Sequence, residues 1–169
     1  MAIETPRRGS YSVMKPCRNA YILCRKNGLA TRSIPRDDWP MAKKFKLSDQ
    51  SIIGFVATSD PDRAKKFYRD TLGLRLVSEE MPFALVFDAH GTMLRVTVVK
   101  SVAPAGYTVL GWQVPDIVAA VKALSEAGVR FERYPGMPQD ELGIWSAPGG
   151  AKVAWFKDAD GNTLGMSQF

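Results

Sequence analysis

Histidine is almost missing from this chain: 169 residues hold a single one, His90. A metal site with two imidazole ligands is therefore excluded. Serine-hydrolase chemistry is disfavoured too, because no Gly-x-Ser-x-Gly elbow accompanies that one histidine. His90 falls in a turn, where a solvated imidazole is the ordinary state and a general base the exception. Cysteine is equally scarce. Cys17 and Cys24 are the two present, at a spacing that matches no zinc motif and gives no disulfide framework. Free thiols in a reducing, cytoplasmic compartment are expected. No apolar run is long enough to span a bilayer and no signal-peptide core is present, so no membrane partner is expected. Glycine forms no phosphate-cradling loop, since Gly149-Gly150 is an isolated turn.

Charge is also sparse where it would matter. The formal net charge is +6, but residues 1–40 hold eight Lys/Arg against three acids, leaving fifteen against fourteen for residues 41–169. The basic balance thus belongs to an N-terminal extension, taken as residues 1–47, and no nucleic-acid partner is expected for the remainder. Four readings of the extension stand: a disordered tail, a phosphate-binding arm, a transit-type peptide, or an upstream start ahead of Met41. The last is preferred and the tail comes second. The domain proper is placed at residues 48–169.

What the chain does have is a repeat. Gly54–Asp60 followed by Pro61–Tyr68 and Leu72-Gly73 is matched by Gly111–Asp116 followed by Ile117–Leu124 and Ala127-Gly128, with the two helix-opening aspartates 56 positions apart (116 − 60). Each copy reads strand, Asp, helix, Gly, strand. Duplication at such a period signals two matching modules. Asp60 and Asp116 suit helix N-caps, and Pro61 suits the first helical position. Gly73 and Gly128 are placed to close the helices in the left-handed region.

Further strands are predicted at Leu74–Glu79, Phe83–Phe87 and Met93–Val99, then at Val109–Val114, Val129–Arg133, Lys152–Phe156 and Thr163–Met166. Asp88–Gly91 and Asp158–Asn162 carry turn chemistry. The order is βαβββ twice, in modules of about 50–100 and 105–168. The fold class is α+β: two modules forming a curved, mostly antiparallel sheet around a cavity, with two helices on one face and the other face free.

The pattern resembles the vicinal oxygen chelate superfamily of glyoxalase, bleomycin-resistance and dioxygenase proteins. The residues that carry it are Asp60-Pro61-Asp62-Arg63-Ala64 with Phe67-Tyr68 and Leu72-Gly73-Leu74, then Val114-Pro115-Asp116, then Phe156–Asn162. The resemblance implies paired modules around a cavity but no single reaction. It also implies where a metal would be held. Metal-dependent members carry a ligand seven residues before each helix-opening Asp and another on the last strand; here those positions are Ile53, Val109 and Gly165. None carries a donor side chain. No metal or other cofactor is expected. The acids Glu79, Glu80, Asp88, Glu132, Asp158 and Asp160 sit at strand ends or turns, where a solvated surface role is expected. Asp158-Ala159-Asp160 hints at a calcium loop, but a tight hairpin turn explains it better.

If Ile53 and Val109 face the cup, alternation adds Phe55, Ala57, Gly111 and Gln113, with Thr163 and Gly165 from the last strand. That surface is apolar with few polar groups, as in small-molecule pockets; a collapsed, side-chain-filled core is the alternative. Arg95 faces away from Leu94, Val96 and Val98, into either the cup or solvent. In the cup it would grip a carboxylate, phosphate or enolate. Trp112 is expected under the helices, Trp155 on either face, and Tyr107, Tyr134 and Trp145 near a rim. The candidate ligand-binding set is Ile53, Phe55, Arg95, Val109, Gly111, Gln113, Trp155 and Gly165.

The leading functional expectation is metal-free binding of an apolar or amphipathic small molecule in the cup. The alternative is a lyase, isomerase or dioxygenase with a non-standard site. A third possibility is an interaction module whose sheet serves dimerisation, so a homodimer remains open.

Overall fold

The computed structural model describes residues 45–169 and the backbone of three strands ahead of them. The chain divides into two compact units, Met1–Gln50 and Ser51–Phe169. In the first, β1 (Tyr11–Cys17), β2 (Ala20–Arg25) and β3 (Arg32–Pro35) form an antiparallel sheet in the order β1-β2-β3, where the sequence showed no sustained period. The side chains of Cys17 and Cys24 lie outside the described residues. A short 3-10 turn, Leu47–Asp49, completes this unit.

The second unit holds the repeat. Its first module runs β4 (Ile53–Thr58), α1 (Pro61–Lys65), β5 (Arg75–Glu80), β6 (Ala84–Ala89) and β7 (Thr92–Val98). The second runs β8 (Leu110–Gln113), α2 (Ile117–Glu126), β9 (Trp145–Ser146), β10 (Lys152–Lys157) and β11 (Thr163–Gln168). The strand orders are β4-β7-β6-β5 and β8-β11-β10-β9. In each sheet the first strand pairs parallel with the last (β4 with β7, β8 with β11), and the other pairs are antiparallel. The architecture is α+β, two open mixed sheets.

The caps behave as the sequence dictates. Asp60 accepts from the Arg63 amide and Asp116 from the Ala119 amide, each at 3.0 Å. These bonds satisfy amides that a helix start leaves without partners. Gly73 and Gly128 have φ of 71° and 92°, the left-handed region a glycine enters without steric cost. One departure follows α1. Lys66–Thr71 widens into a π-type turn, with the Leu72 amide donating to the Phe67 carbonyl at 2.9 Å.

A second departure concerns the strand expected at Val129–Arg133. It reduces to a single bridge, Phe131 to Phe156, and the short β9 takes the edge of the sheet instead. The residues after it explain why. Gly136 has φ of 81° and Gly143 of 82°, which breaks extended geometry. The Gln139 side chain then stands in for a ladder: its amide donates to the Glu132 and Gly143 carbonyls, and its oxygen accepts from the Tyr134 amide.

One core joins the modules. Val56, Tyr68, Phe87, Leu94 and Val96 of the first pack in the same cluster as Ile117, Val121, Phe156, Leu164 and Met166 of the second. Trp112 stacks on Phe156 at 6.4 Å, on the helix side as expected. No helix among the described residues is long and apolar enough to cross a membrane.

Candidate functional site

The seam between the modules is built by the β10–β11 turn, and it corrects one expectation. Asp158 and Asp160 are not solvated surface acids. Asp158 is buried: its carboxylate accepts from Tyr68 Oη and Asn162 Nδ2, each at 2.8 Å, and from the Asn162 and Asp160 amides at 2.9 and 3.0 Å. The Asp160 side chain is only 2% exposed. It accepts from Thr58 Oγ1 and Ser59 Oγ at 2.6 Å and from the Ser59 amide at 2.9 Å. Asn162 Nδ2 also donates to the Ala57 carbonyl at 2.9 Å. The turn thus clamps β4 and its helix to the second sheet. Burial, then the charge and hydrogen bond of Asp158, push the Tyr68 hydroxyl well above its ordinary range. Burial would raise the Asp160 carboxyl, but hydrogen bonds from Ser59 and Thr58 and the Arg63 charge outweigh it and hold the group below its usual value.

With Val56 and Thr58 buried in the core, the intervening residues of β4 fall on the open face of its sheet. Ile53 and Phe55 are exposed there, Phe55 at 62%. Register places Arg95 of β7 beside Phe55 on β4 and beside Val86 on β6. Leu94 and Val96, its neighbours in sequence, are core residues. Arg95 is accordingly on the open face, where Nη2 donates to Glu80 Oε2 at 2.6 Å. That hydrogen bond is the main cause holding the Glu80 carboxyl below its ordinary value.

The second sheet presents a different face. Gly111 lies beside Gly165, and Gly165 beside Trp155. A Cβ at Gly165 would come 3.3 Å from Thr108 Cγ2 and 3.4 Å from Trp155 Cδ1. The indole therefore lies over the bare backbone, held by Nε1 donating to Thr108 Oγ1 at 3.0 Å. Tyr134 meets Trp155 edge-on at 5.6 Å, and Trp145 lies against it at 6.1 Å. Tyr107 stays apart, 71% exposed.

A recess of about 250 Å³ opens where the modules meet, lined by Phe55, Ala57, Val99, Val102, Ala105 and Val109 among others. Of the sequence-derived set it gathers Phe55 and Val109. Arg95 stands next to Phe55 without lining the recess, and Ile53 is two positions along the same strand face. Gly111, Gly165 and Trp155 do not line it; they sit side by side on the second sheet. Gln113 borders another recess, of about 210 Å³, with Leu72, Leu74, Trp112 and Leu124. The linker residues Val102 and Ala105 were missed by sequence reasoning, and Val99, the last residue of the strand expected at Met93–Val99, was not singled out. The signal available for Val102 and Ala105 was their apolar character in a segment with no strand period.

The repeat also relates positions across the modules. Ile53 and Val109 are equivalent, so Phe55 corresponds to Gly111. Arg95, paired with Phe55, then corresponds to Gly165, paired with Gly111. The positions that the resemblance implies for a metal, Ile53, Val109 and Gly165, hold two aliphatic side chains and a glycine, and Arg95, the first-module equivalent of Gly165, adds a guanidinium. This donor set does not fit a divalent cation, which needs imidazole, thiolate or oxygen ligands.

No curated protein matches the sequence. Among solved structures, the chain is similar to a glyoxalase family protein from Enterococcus faecalis, with a TM-score of 0.57 and 19% identity over 72% of this chain and 99% of that one. It is likewise similar to a member of the glyoxalase/bleomycin resistance protein/dioxygenase superfamily from Sphaerobacter thermophilus DSM 20745, with a TM-score of 0.53 and 26% identity over 72% and 99%. The family model described as Glyoxalase/Bleomycin resistance protein/Dioxygenase superfamily matches residues 52–166. With the duplicated βαβββ modules and their shared seam, this establishes that the chain belongs to that superfamily.

Proposed function

We propose that the protein binds a small apolar or amphipathic molecule in the recess between its modules, without a metal, in the cytoplasm. The observation that carries this reading is the pairing of an apolar recess with a donor set unable to ligate a cation: Ile53, Val109 and Gly165 offer no donor, and Arg95 is itself positive. The recess is smaller than the roughly 300–1,000 Å³ typical of drug-sized ligands. A single small ring system, extending along the open sheet face past Phe55, suits it. The buried carboxylates are already committed to structure. Asp158 and Asp160 hold the module seam, which leaves no carboxylate in the recess to serve as an acid or base.

The test is a thermal-shift panel of neutral and anionic bicyclic aromatics, followed by titration of the hits through tryptophan fluorescence. Saturable binding at one site per chain is expected, weakened about tenfold or more by Ala105→Phe, which fills the recess from a loop and leaves the sheets intact. Binding indifferent to Ala105→Phe, or no hit in the panel, overturns the reading.

A second reading, self-association through the sheet, is favoured by the exposure of Ile53, Phe55, Val77, Phe83 and Met93 within one module. Light scattering decides it. A monomeric mass at high concentration removes this reading, and a dimer that Phe55→Ser dissociates supports it.

A further inference from the structure

The ion pair on the open face has no structural duty comparable to the module seam. Arg95 projects from the middle of β7 with a side chain 26% exposed, and its partner Glu80 is the last residue of β5, 46% exposed. The neighbouring acid, Glu79, points to the other side and pairs with Lys65 of α1 at 3.1 Å. The Glu80 carboxylate also accepts from Ser78 Oγ at 3.5 Å, the limit of hydrogen-bond length. An exposed pair of this kind is held weakly, because water solvates both partners when they part. Arg95 is the less exposed partner. On the adjacent strand its register partner is Phe55, which lines the recess.

We propose that Arg95 selects an anionic ligand and that Glu80 is the internal stand-in which the ligand's carboxylate displaces. The proposal rests on the reading of the recess as a small-molecule site and names the ligand class: a monocarboxylate with an apolar body. The body occupies the recess beside Phe55, and the carboxylate takes the Arg95 donor that Glu80 now holds. The planar guanidinium matches a carboxylate with two parallel hydrogen bonds, whereas the Glu80 contact uses one nitrogen within normal bonding distance. The ligand therefore gains a better geometry than the contact it replaces. The place of Arg95 in the repeat supports the assignment. It occupies the position equivalent to Gly165, so the first module supplies a fixed positive charge where the second supplies bare backbone.

The experiment titrates 2-naphthoate and 2-naphthamide, which differ in charge and little in shape, into the full chain and three variants. Wild type should bind the acid more tightly than the amide. Arg95→Met should weaken the acid about tenfold or more, because a charge-assisted contact is lost, and leave the amide within about twofold. Glu80→Gln should tighten the acid about threefold, by removing a charged competitor whose hold is small, and leave the amide unchanged. Ala105→Phe should weaken both. Glu80 is exposed at the end of a strand, so its variant keeps the test decisive should Arg95→Met unfold. Equal binding of acid and amide, unmoved by Arg95→Met or Glu80→Gln, overturns the role of Arg95 and leaves the recess reading intact. Failure of both compounds to bind overturns the two together.

Discussion

Replacing Asp158 with Ala tests whether the β10–β11 turn is the fastening between the modules. Four donors converge on that carboxylate: Tyr68 Oη, Asn162 Nδ2 and the amides of Asn162 and Asp160. They are not equal once it is gone. Asn162 Nδ2 keeps the Ala57 carbonyl, and the Asp160 amide is close enough to solvent to find water. Tyr68 Oη and the Asn162 amide are buried and stranded. A buried polar group left without its partner costs about 1–3 kcal/mol. The two together cost roughly 2–6 kcal/mol, and the removed carboxylate gives back part of this because its own desolvation penalty disappears. A net loss of about 2–4 kcal/mol is expected, a large share of the roughly 5–15 kcal/mol of a typical domain. For a unit of this size that lowers Tm by on the order of 10 °C. Asp158→Asn, which keeps one acceptor for the turn amides, should lose less than half as much. The assay is thermal unfolding followed by circular dichroism at neutral pH. A Tm for Asp158→Ala within 2 °C of wild type would refute the account of the seam.

Tyr68 adds an alkaline signature. Its folded-state pKa is raised, so the unfolded chain loses this proton first. Stability is then complete below the ordinary tyrosine range near 10 and falls as pH rises beyond it, at about 1.4 kcal/mol per pH unit. Tyr68→Phe should flatten that branch in a urea-unfolding series. Asp160 acts at the other end. Its depressed pKa stabilises the fold above the ordinary carboxylate range and the contribution fades as pH falls through the folded value, so Asp160→Asn should make acid unfolding less steep. Gly165→Val should push Trp155 off the sheet, read as a shift in tryptophan emission with loss of the Thr108 bond. Protein purified without chelator should carry far less than one Zn, Ni, Fe or Mn per chain, since Ile53, Val109 and Gly165 offer no ligand; about one equivalent by elemental analysis sinks the metal-free reading.

Local chemistry alone was enough for much of this fold. A capping aspartate, a proline at the first helical position and a glycine with positive φ act within a few residues of themselves. Asp60, Pro61, Gly73, Asp116 and Gly128 were therefore readable in order, and their repetition exposed the two modules. Period-two alternation likewise separated Val56 and Thr58 from Ile53 and Phe55, because successive residues of a strand face opposite ways. Alternation does not say what stands on the far side. Asp158 and Asp160 look like surface turn acids until Tyr68, Thr58 and Ser59, some ninety to a hundred positions earlier, are folded onto them. The strand expected at Val129–Arg133 shortened to the Phe131–Phe156 bridge, with the Glu132 amide donating to the Trp155 carbonyl, and beyond it the Gln139 side chain takes over the Glu132 carbonyl and the Tyr134 amide. Arg95 could be placed on a face by its neighbours, yet its partner Glu80 comes from a strand whose register includes an irregularity between Leu76 and Ser78. Hydrogen bonds across the seam and pairs across the sheet depend on distance in space, and only tertiary packing fixes that distance.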